Sequence, residues 1–243
     1  MYVTAIVLAA GKGLRFSRFN SFTVRGGTKP LIKINSKPII IRCLDILSKH
    51  SYIKDIIVVA NSKNSISITR EIKQYRIRKI RDVILGGRLR QNSVINGLKA
   101  MDMCTGLVLI HDAVRPFIDK DMVSSLIKEA NRYGAAIVGA PVKDTVKKVR
   151  KSGGQEDTSR IVEKTLNRDE LWEIQTPQVF KKELILEAYR RFGNIEVTDD
   201  ASLVEKLGVK VKIVRGSYNN IKITTPDDLI LAEAIATNLK YKG

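Results

Sequence analysis

Apolar residues along this chain gather in short runs separated by polar stretches, and the spacing switches back and forth between strand-like and helix-like periods. Ile6-Val7-Leu8, Asp55 to Ala60 (DIIVVA), Asp82 to Leu85, Gly106 to Pro116 (GLVLIHDAVRP) and Ala135 to Pro141 are runs of strand length. Continuous rather than alternating apolarity fits strands covered on both faces. Between them, Pro38 opens a predicted helix through Lys49, and a second is predicted over Ser65 to Tyr75. In Arg90 to Met103, Val94, Ile95, Leu98 and Met101 recur at helical spacing, the mark of a core-facing stripe. Asp119 caps a helix ending near Gly134, and further helices are predicted over Lys181 to Phe192 and over Thr198 to Leu207, where Gly208 stops the turn. Val209 to Val214 and Asn220 to Ile223 read as short strands, and Thr225-Pro226-Asp227-Asp228 caps a C-terminal helix. The alternation predicts an α/β fold, a Rossmann-like and mainly parallel sheet flanked by helices.

One stretch breaks the rhythm. Lys143 to Lys164 (KDTVKKVRKSGGQEDTSRIVEK) is polar, basic and alternating around Ser152-Gly153-Gly154, the pattern of a hairpin arm leaving the sheet. A two-stranded arm is marginal in water by itself, so it is expected to pack on a second subunit. With that arm as an insertion at residues 142–172, the chain reads as one domain over 1–243.

The 44% apolar content supports an ordinary packed core. No signal-peptide pattern opens the chain and the apolar runs are too short for a bilayer, so a cytoplasmic protein is expected. Cys43 and Cys104 have no CxxC partner or clustered histidines and read as plain residues, not zinc ligands. Lys and Arg number 43 against 25 Asp and Glu, a formal charge of +18 that favours polyanions and phosphorylated metabolites alike. Concentrations such as Lys73 to Arg81 fit solvated helix faces better than a nucleic-acid surface.

Chemistry gathers where strands end. After Leu8 come Ala9, Ala10, Gly11, Lys12, Gly13 and Arg15, a loop that loses bulk and gains positive charge, as an anion-binding backbone requires. It is neither a P-loop nor a dinucleotide fingerprint, since one residue separates the glycines and Phe16 stands where the third glycine would be. Gly86 to Ser93 (GGRLRQNS) and His111 to Arg115 (HDAVR) fall at the ends of other strands, where open α/β sheets bind ligands. Asp112 at such a terminus suits a hard cation beside phosphates or a backbone cap, and His111 a general base or a sheet-packed ring. There is no G-x-S-x-G or HExxH, and the cations Lys12, Arg15 and Lys29 point to phosphoryl-type transfer, which needs positioning and charge more than covalent help. The loop around Arg25-Gly26-Gly27 is placed to close over a triphosphate.

The motifs VLAAGKGLR, GGRLRQNSV, HDAVRPF, APVKDTVK, TLNRDELWEIQTPQ, TDDAS and NNIKITTPDDL follow one another in the order and spacing of a known family. The chain resembles the 2-C-methyl-D-erythritol 4-phosphate cytidylyltransferases of the non-mevalonate isoprenoid pathway, which join CTP to methylerythritol phosphate with Mg2+ and release pyrophosphate. The resemblance implies that Ala9, Ala10, Gly11 and Gly13 wrap the CTP, that Gly87 and Ser93 help read cytosine, and that Arg15, Lys29 and Lys222 carry the catalytic charge. Asp112, also the metal candidate, and Arg115 would organise substrate. Thr145 and Arg168 would bind the sugar phosphate across a homodimer interface, and Thr198 a sugar hydroxyl. The stretch between Arg15 and Lys29 is about twice the family's usual length, and Pro30 stands where glutamine is common. Ribitol 5-phosphate cytidylyltransferases are similar in HDAVRPF, QTPQ and NIKITTP, but APVKDT, TLNRDELW and TDDAS favour the isoprenoid enzyme. A nucleic-acid or anionic-polymer binding protein would use the charge yet leave Asp112 and the glycine loop unexplained.

Overall fold

The computed structural model describes residues 2–11, 28–151 and 159–241. Its first half runs β1 (Val3–Leu8), a 3-10 turn at Lys29–Leu31, the short pair β2 (Lys33–Ile34) and β3 (Lys37–Pro38), α1 (Ile39–Lys49), β4 (Ile53–Ala60), α2 (Ser65–Gln74), β5 (Ile80–Leu85), α3 (Arg90–Lys99) and β6 (Leu107–Asp112). The second half runs α4 (Lys120–Tyr133), β7 (Ala135–Pro141), β8 (Lys147–Lys151), β9 (Arg160–Thr165), β10 (Trp172–Lys181), α5 (Lys182–Phe192), α6 (Ala201–Glu205), β11 (Lys212–Arg215) and α7 (Pro226–Tyr241). A second 3-10 turn covers Arg168–Glu170.

Seven strands form the central sheet in the order β11-β7-β10-β6-β1-β4-β5. All neighbours are parallel except β10, which runs antiparallel between β6 and β7. The unbroken apolarity of the central strands follows from cover on two sides. Val3, Ala5 and Val7 of β1 enter one core with Leu44 of α1, Ile68 of α2 and Leu126 of α4. Ile6 points to the other face, into a core with Val94 and Leu98 of α3, Ile185 of α5 and Leu203 of α6. Strand periodicity thus divides one apolar run between two helical layers. A smaller cluster joins Ile34 and Ile39 to Ala232 and Ile235 of α7.

Local chemistry explains most boundaries. The Asp119 carboxylate accepts the Met122 N–H at 2.7 Å, and Gly134 leaves α4 at φ 91°. Asp228 Oδ2 accepts the backbone N–H and hydroxyl of both Thr224 and Thr225, so this carboxylate is spent on capping α7.

Three expectations need correction, and one strand was not foreseen. The α3 helix stops at Lys99, short of Met103. The helix expected from Thr198 begins only at Ala201, because Asp199 accepts the Ser202 N–H at 3.2 Å and stays outside as a cap, and it ends at Glu205. Residues 220–223 are not a strand: Ile223 N–H bonds Val114 O and the Asn220 carbonyl accepts from Arg115, so these groups serve a loop instead of a ladder. The β10 strand was hidden from pattern reading, since Pro177 lacks a donor and the ladder is irregular between Gln175 and Gln178.

Candidate active site

At the centre of the sheet, β1 connects toward β4 while β6 leads to the opposite half, so a crevice opens where these neighbours end. Leu8 and Asp112 are register partners at that edge. Beyond β1, the Ala9 N–H bonds Val59 O at 2.7 Å, while the Ala9 and Ala10 carbonyls accept from Asn64 Nδ2 at 3.0 Å and Asn61 Nδ2 at 3.2 Å. Those two asparagines anchor Ala9 and Ala10 beside the sheet, a role the sequence reading missed. A Cβ on Gly86 would lie 2.5 Å from Ser93 Oγ and 2.6 Å from the Ala10 Cβ, so the loops after β1 and β5 meet only because that residue has no side chain. The Gly87 N–H donates to Ser93 Oγ at 3.2 Å, which gathers Ala10, Gly87 and Ser93 at one edge. Among the described residues, nothing lies within 4 Å of a Cβ at Gly11. Gly13 and Arg15, like Lys12 and the Arg25 loop, lie outside the described residues.

Asp112 is the electrostatic centre. Its Oδ2 pairs with Lys222 Nζ at 2.7 Å and its Oδ1 with Arg90 Nε at 3.5 Å. Burial alone would raise this carboxyl, but Arg90 and Lys222 hold it well below the usual carboxylate range. Arg90 turns its two terminal nitrogens onto Asp200, at 3.0 and 2.8 Å, and Asp200 is fully buried beneath the Tyr189 hydroxyl. Against the cost of burial, the two carboxylates hold the guanidinium firmly charged.

His111 has a settled place. Its Nε2 lies 3.1 Å from the Arg115 carbonyl, which can only accept, so Nε2 carries the proton. Nδ1 then accepts the Thr176 hydroxyl at 3.1 Å, and Thr176 Oγ1 accepts the Asp112 N–H at 3.0 Å. Complete burial lowers the imidazole to about 4, and both nitrogens are occupied. The ring orients Asp112 and Arg115 and is not a general base. Arg115 donates to the Asn220 carbonyl at 2.7 Å, and the buried Asn220 amide reaches Gln175 and the Thr176 carbonyl.

A cavity of about 460 Å3 opens against these groups, bringing Arg90, Asp112, Arg115, Thr198 and Lys222 together. Lys29 opens the first 3-10 turn, half-buried, with Pro30 inside the turn. Thr145 and Arg168 are exposed and stand outside the cavity lining; Arg168 donates to the Lys143 carbonyl at 2.9 Å at the base of the β8–β9 hairpin. Among the described residues no group of three or more His, Cys, Asp or Glu gathers as a metal cage, and no helix is long and apolar enough to cross a membrane.

The family model for 2-C-methyl-D-erythritol 4-phosphate cytidylyltransferase matches residues 3–238. The chain belongs to that family. A cytidylyltransferase of this name from Alkaliphilus metalliredigens is 42% identical over 241 residues, covering 98% of this chain and 94% of that one. The crystal structure of 4-diphosphocytidyl-2C-methyl-D-erythritol synthase from Anaerococcus prevotii superposes with a TM-score of 0.81 at 35% identity, covering 97% and 96% of the two chains. The 2-C-methyl-D-erythritol 4-phosphate cytidylyltransferase of Thermus thermophilus gives 0.72 at 29% identity, covering 98% and 100%. Family and relatives fall on the methylerythritol side of the two polyol phosphates. In this cytidylyltransferase, sequence reasoning overlooked Arg90, Asp200 and Asn220. Arg90 lies within the quoted GGRLRQNS motif, but its partner is 110 residues away and left no local signal.

Proposed function

We propose that this chain transfers CMP from CTP to 2-C-methyl-D-erythritol 4-phosphate, giving 4-diphosphocytidyl-2-C-methyl-D-erythritol and pyrophosphate. The observation that carries this reading is the meeting, in one cavity at the end of β6, of an ionised Asp112 with the cations Arg115 and Lys222, Arg90 being held between Asp112 and Asp200. A sugar-phosphate oxygen bonds to the α-phosphorus of CTP, the bond to the β-bridging oxygen breaks, and pyrophosphate leaves with that electron pair. Both reactants are anions, so the barrier is lowered by fixed positive groups in a confined cleft. In this reading Ala9, Ala10, Gly11 and Gly13 wrap the triphosphate, and Gly87 and Ser93 hold the base. Arg15, Lys29 and Lys222 offset the charge of the reacting phosphates, and Arg115 and Thr198 hold the sugar phosphate.

A divalent cation would come in on phosphate oxygens, with Asp112 as the protein's carboxylate once those phosphates draw Lys222 and Arg90 toward them. Mg2+ held there would withdraw charge from the phosphates. We place Thr145 and Arg168 at the second subunit's cavity, on a single domain over 1–243 whose arm insertion at 142–172 forms a homodimer. Support comes from the hairpin itself, where Val149, Ile161 and Val162 are 46%, 45% and 56% exposed on one chain. The charged substrates do not cross bilayers, which supports a cytoplasmic location.

Pyrophosphate release from CTP and Mg2+ tests the reading, with methylerythritol phosphate and ribitol 5-phosphate in parallel. Release with the first is expected. Release with ribitol 5-phosphate alone, or none from folded protein, overturns it.

A further inference from the structure

Arg90 makes two kinds of contact that no other cationic side chain could make together. Its terminal nitrogens grip both oxygens of Asp200, while Nε remains 3.5 Å from Asp112 Oδ1. A guanidinium can do this because its donors lie in a rigid plane facing two directions; an ammonium offers one nitrogen. The residue also begins α3, the helix whose first turn carries Ser93 back to the Gly87 N–H. Its partner Asp200 stands at the start of α6, two residues after Thr198. Asp200 is fully buried and also accepts the Tyr189 hydroxyl. Asp199 beside it accepts from Gln178 at 2.9 Å, and the Ala201 N–H bonds Gln178 Oε1, which ties this segment to β10.

Two segments assigned to different substrates are therefore joined by one ion pair. The loop after β5 serves the nucleotide in the reading above, and the segment before α6 serves the sugar phosphate. We propose that the Arg90–Asp200 pair couples these two subsites, so that a nucleotide seated on the Gly87–Ser93 loop fixes Asp112 and the Thr198 segment for the second substrate. Arg90 is then a positioning residue. The inference rests on the assignment of the two subsites under Proposed function.

Coupling of this kind is a measurable ratio, the factor by which one ligand changes the affinity of the other. The experiment uses the full chain with Mg2+, a CTP analogue carrying a methylene between the α- and β-phosphorus, and methylerythritol phosphate. Titration calorimetry gives the affinity of each ligand alone and in the presence of the other. In the wild type the analogue is expected to tighten sugar-phosphate binding at least fivefold. In Arg90→Lys the factor should fall toward one, whatever the change in affinity for the analogue alone. A merely structural Arg90 would instead weaken both ligands together and leave their ratio unchanged. Asp200→Asn supplies a second variant if Arg90→Lys does not fold, with the same loss of coupling expected. A wild-type factor near one, or an unchanged factor in either folded variant, overturns the proposal. Wild-type turnover with native CTP is measured alongside, so that failure of the cytidylyltransferase reading is seen separately.

Discussion

At the residue scale, the site's charges are balanced by partners drawn from far along the chain. Asp112 sits between Lys222 and Arg90, and each contact removes a reason for the carboxylate to take up a proton. Asp112→Asn should lower kcat/KM about a hundredfold, in line with the loss of one preorganised electrostatic group. The unfolding midpoint should move by only a few degrees, because Arg90 keeps Asp200 and Lys222 is partly exposed. A variant that loses activity in proportion to its folded fraction would assign Asp112 to structure alone.

The histidines make a separate prediction about stability. His111 is held near 4 by burial, and burial likewise lowers His50, which bonds Ser124 and the Tyr52 N–H. Between the ordinary value of about 6.5 and the lowered one, the unfolded chain binds protons that the folded chain refuses. Stability therefore falls as pH falls through this window. By linkage His111 alone would cost about 2 kcal/mol at pH 5. Urea unfolding at pH 7.5 and pH 5 checks this, and equal midpoints would count against a neutral, buried ring.

At the element scale, close approach matters more than propensity. A Cβ on Gly97 would lie 2.6 Å from Ile6 Cγ2, so α3 rests on β1 at a point with no room for a methyl group. Alanine is the better helix former, yet Gly97→Ala should destabilise the fold by about 1–3 kcal/mol, because overpacking a core outweighs the helical gain. Denaturant unfolding decides the sign. Most elements were legible because their signals are local: Asp119 and Gly134 bracket α4, and Asp228 caps α7. The β10 strand was not, since its ladder runs past Pro177 and its partners β6 and β7 are distant in sequence.

At the scale of the whole molecule, the exposed hairpin and the cavity make one prediction together. If Arg168 serves a neighbouring chain's cavity, Arg168→Ala should raise KM for the sugar phosphate tenfold or more and leave KM for CTP nearly unchanged. Val162→Asp should convert a dimer to monomers in sedimentation and reduce activity with it, since a charge in a desolvated interface is costly. A dimer that survives the substitution would remove the arm from the interface.

The sequence by itself determined the fold class and the family. Strand and helix periods, caps and ordered motifs are short-range signals that survive without coordinates. Glycine loops and strand-end acids mark themselves in the same way. Only the tertiary structure decided which charges meet. Arg90 reaching Asp200, Lys222 reaching Asp112, and Asn220 holding Arg115 each join residues more than a hundred positions apart. Such contacts depend on strand order and register, which bring β1, β6 and β10 side by side and which no local pattern encodes. The same holds for His111, open in the sequence between a base and a sheet-packed ring, whose two nitrogens the fold commits to Thr176 and the Arg115 carbonyl.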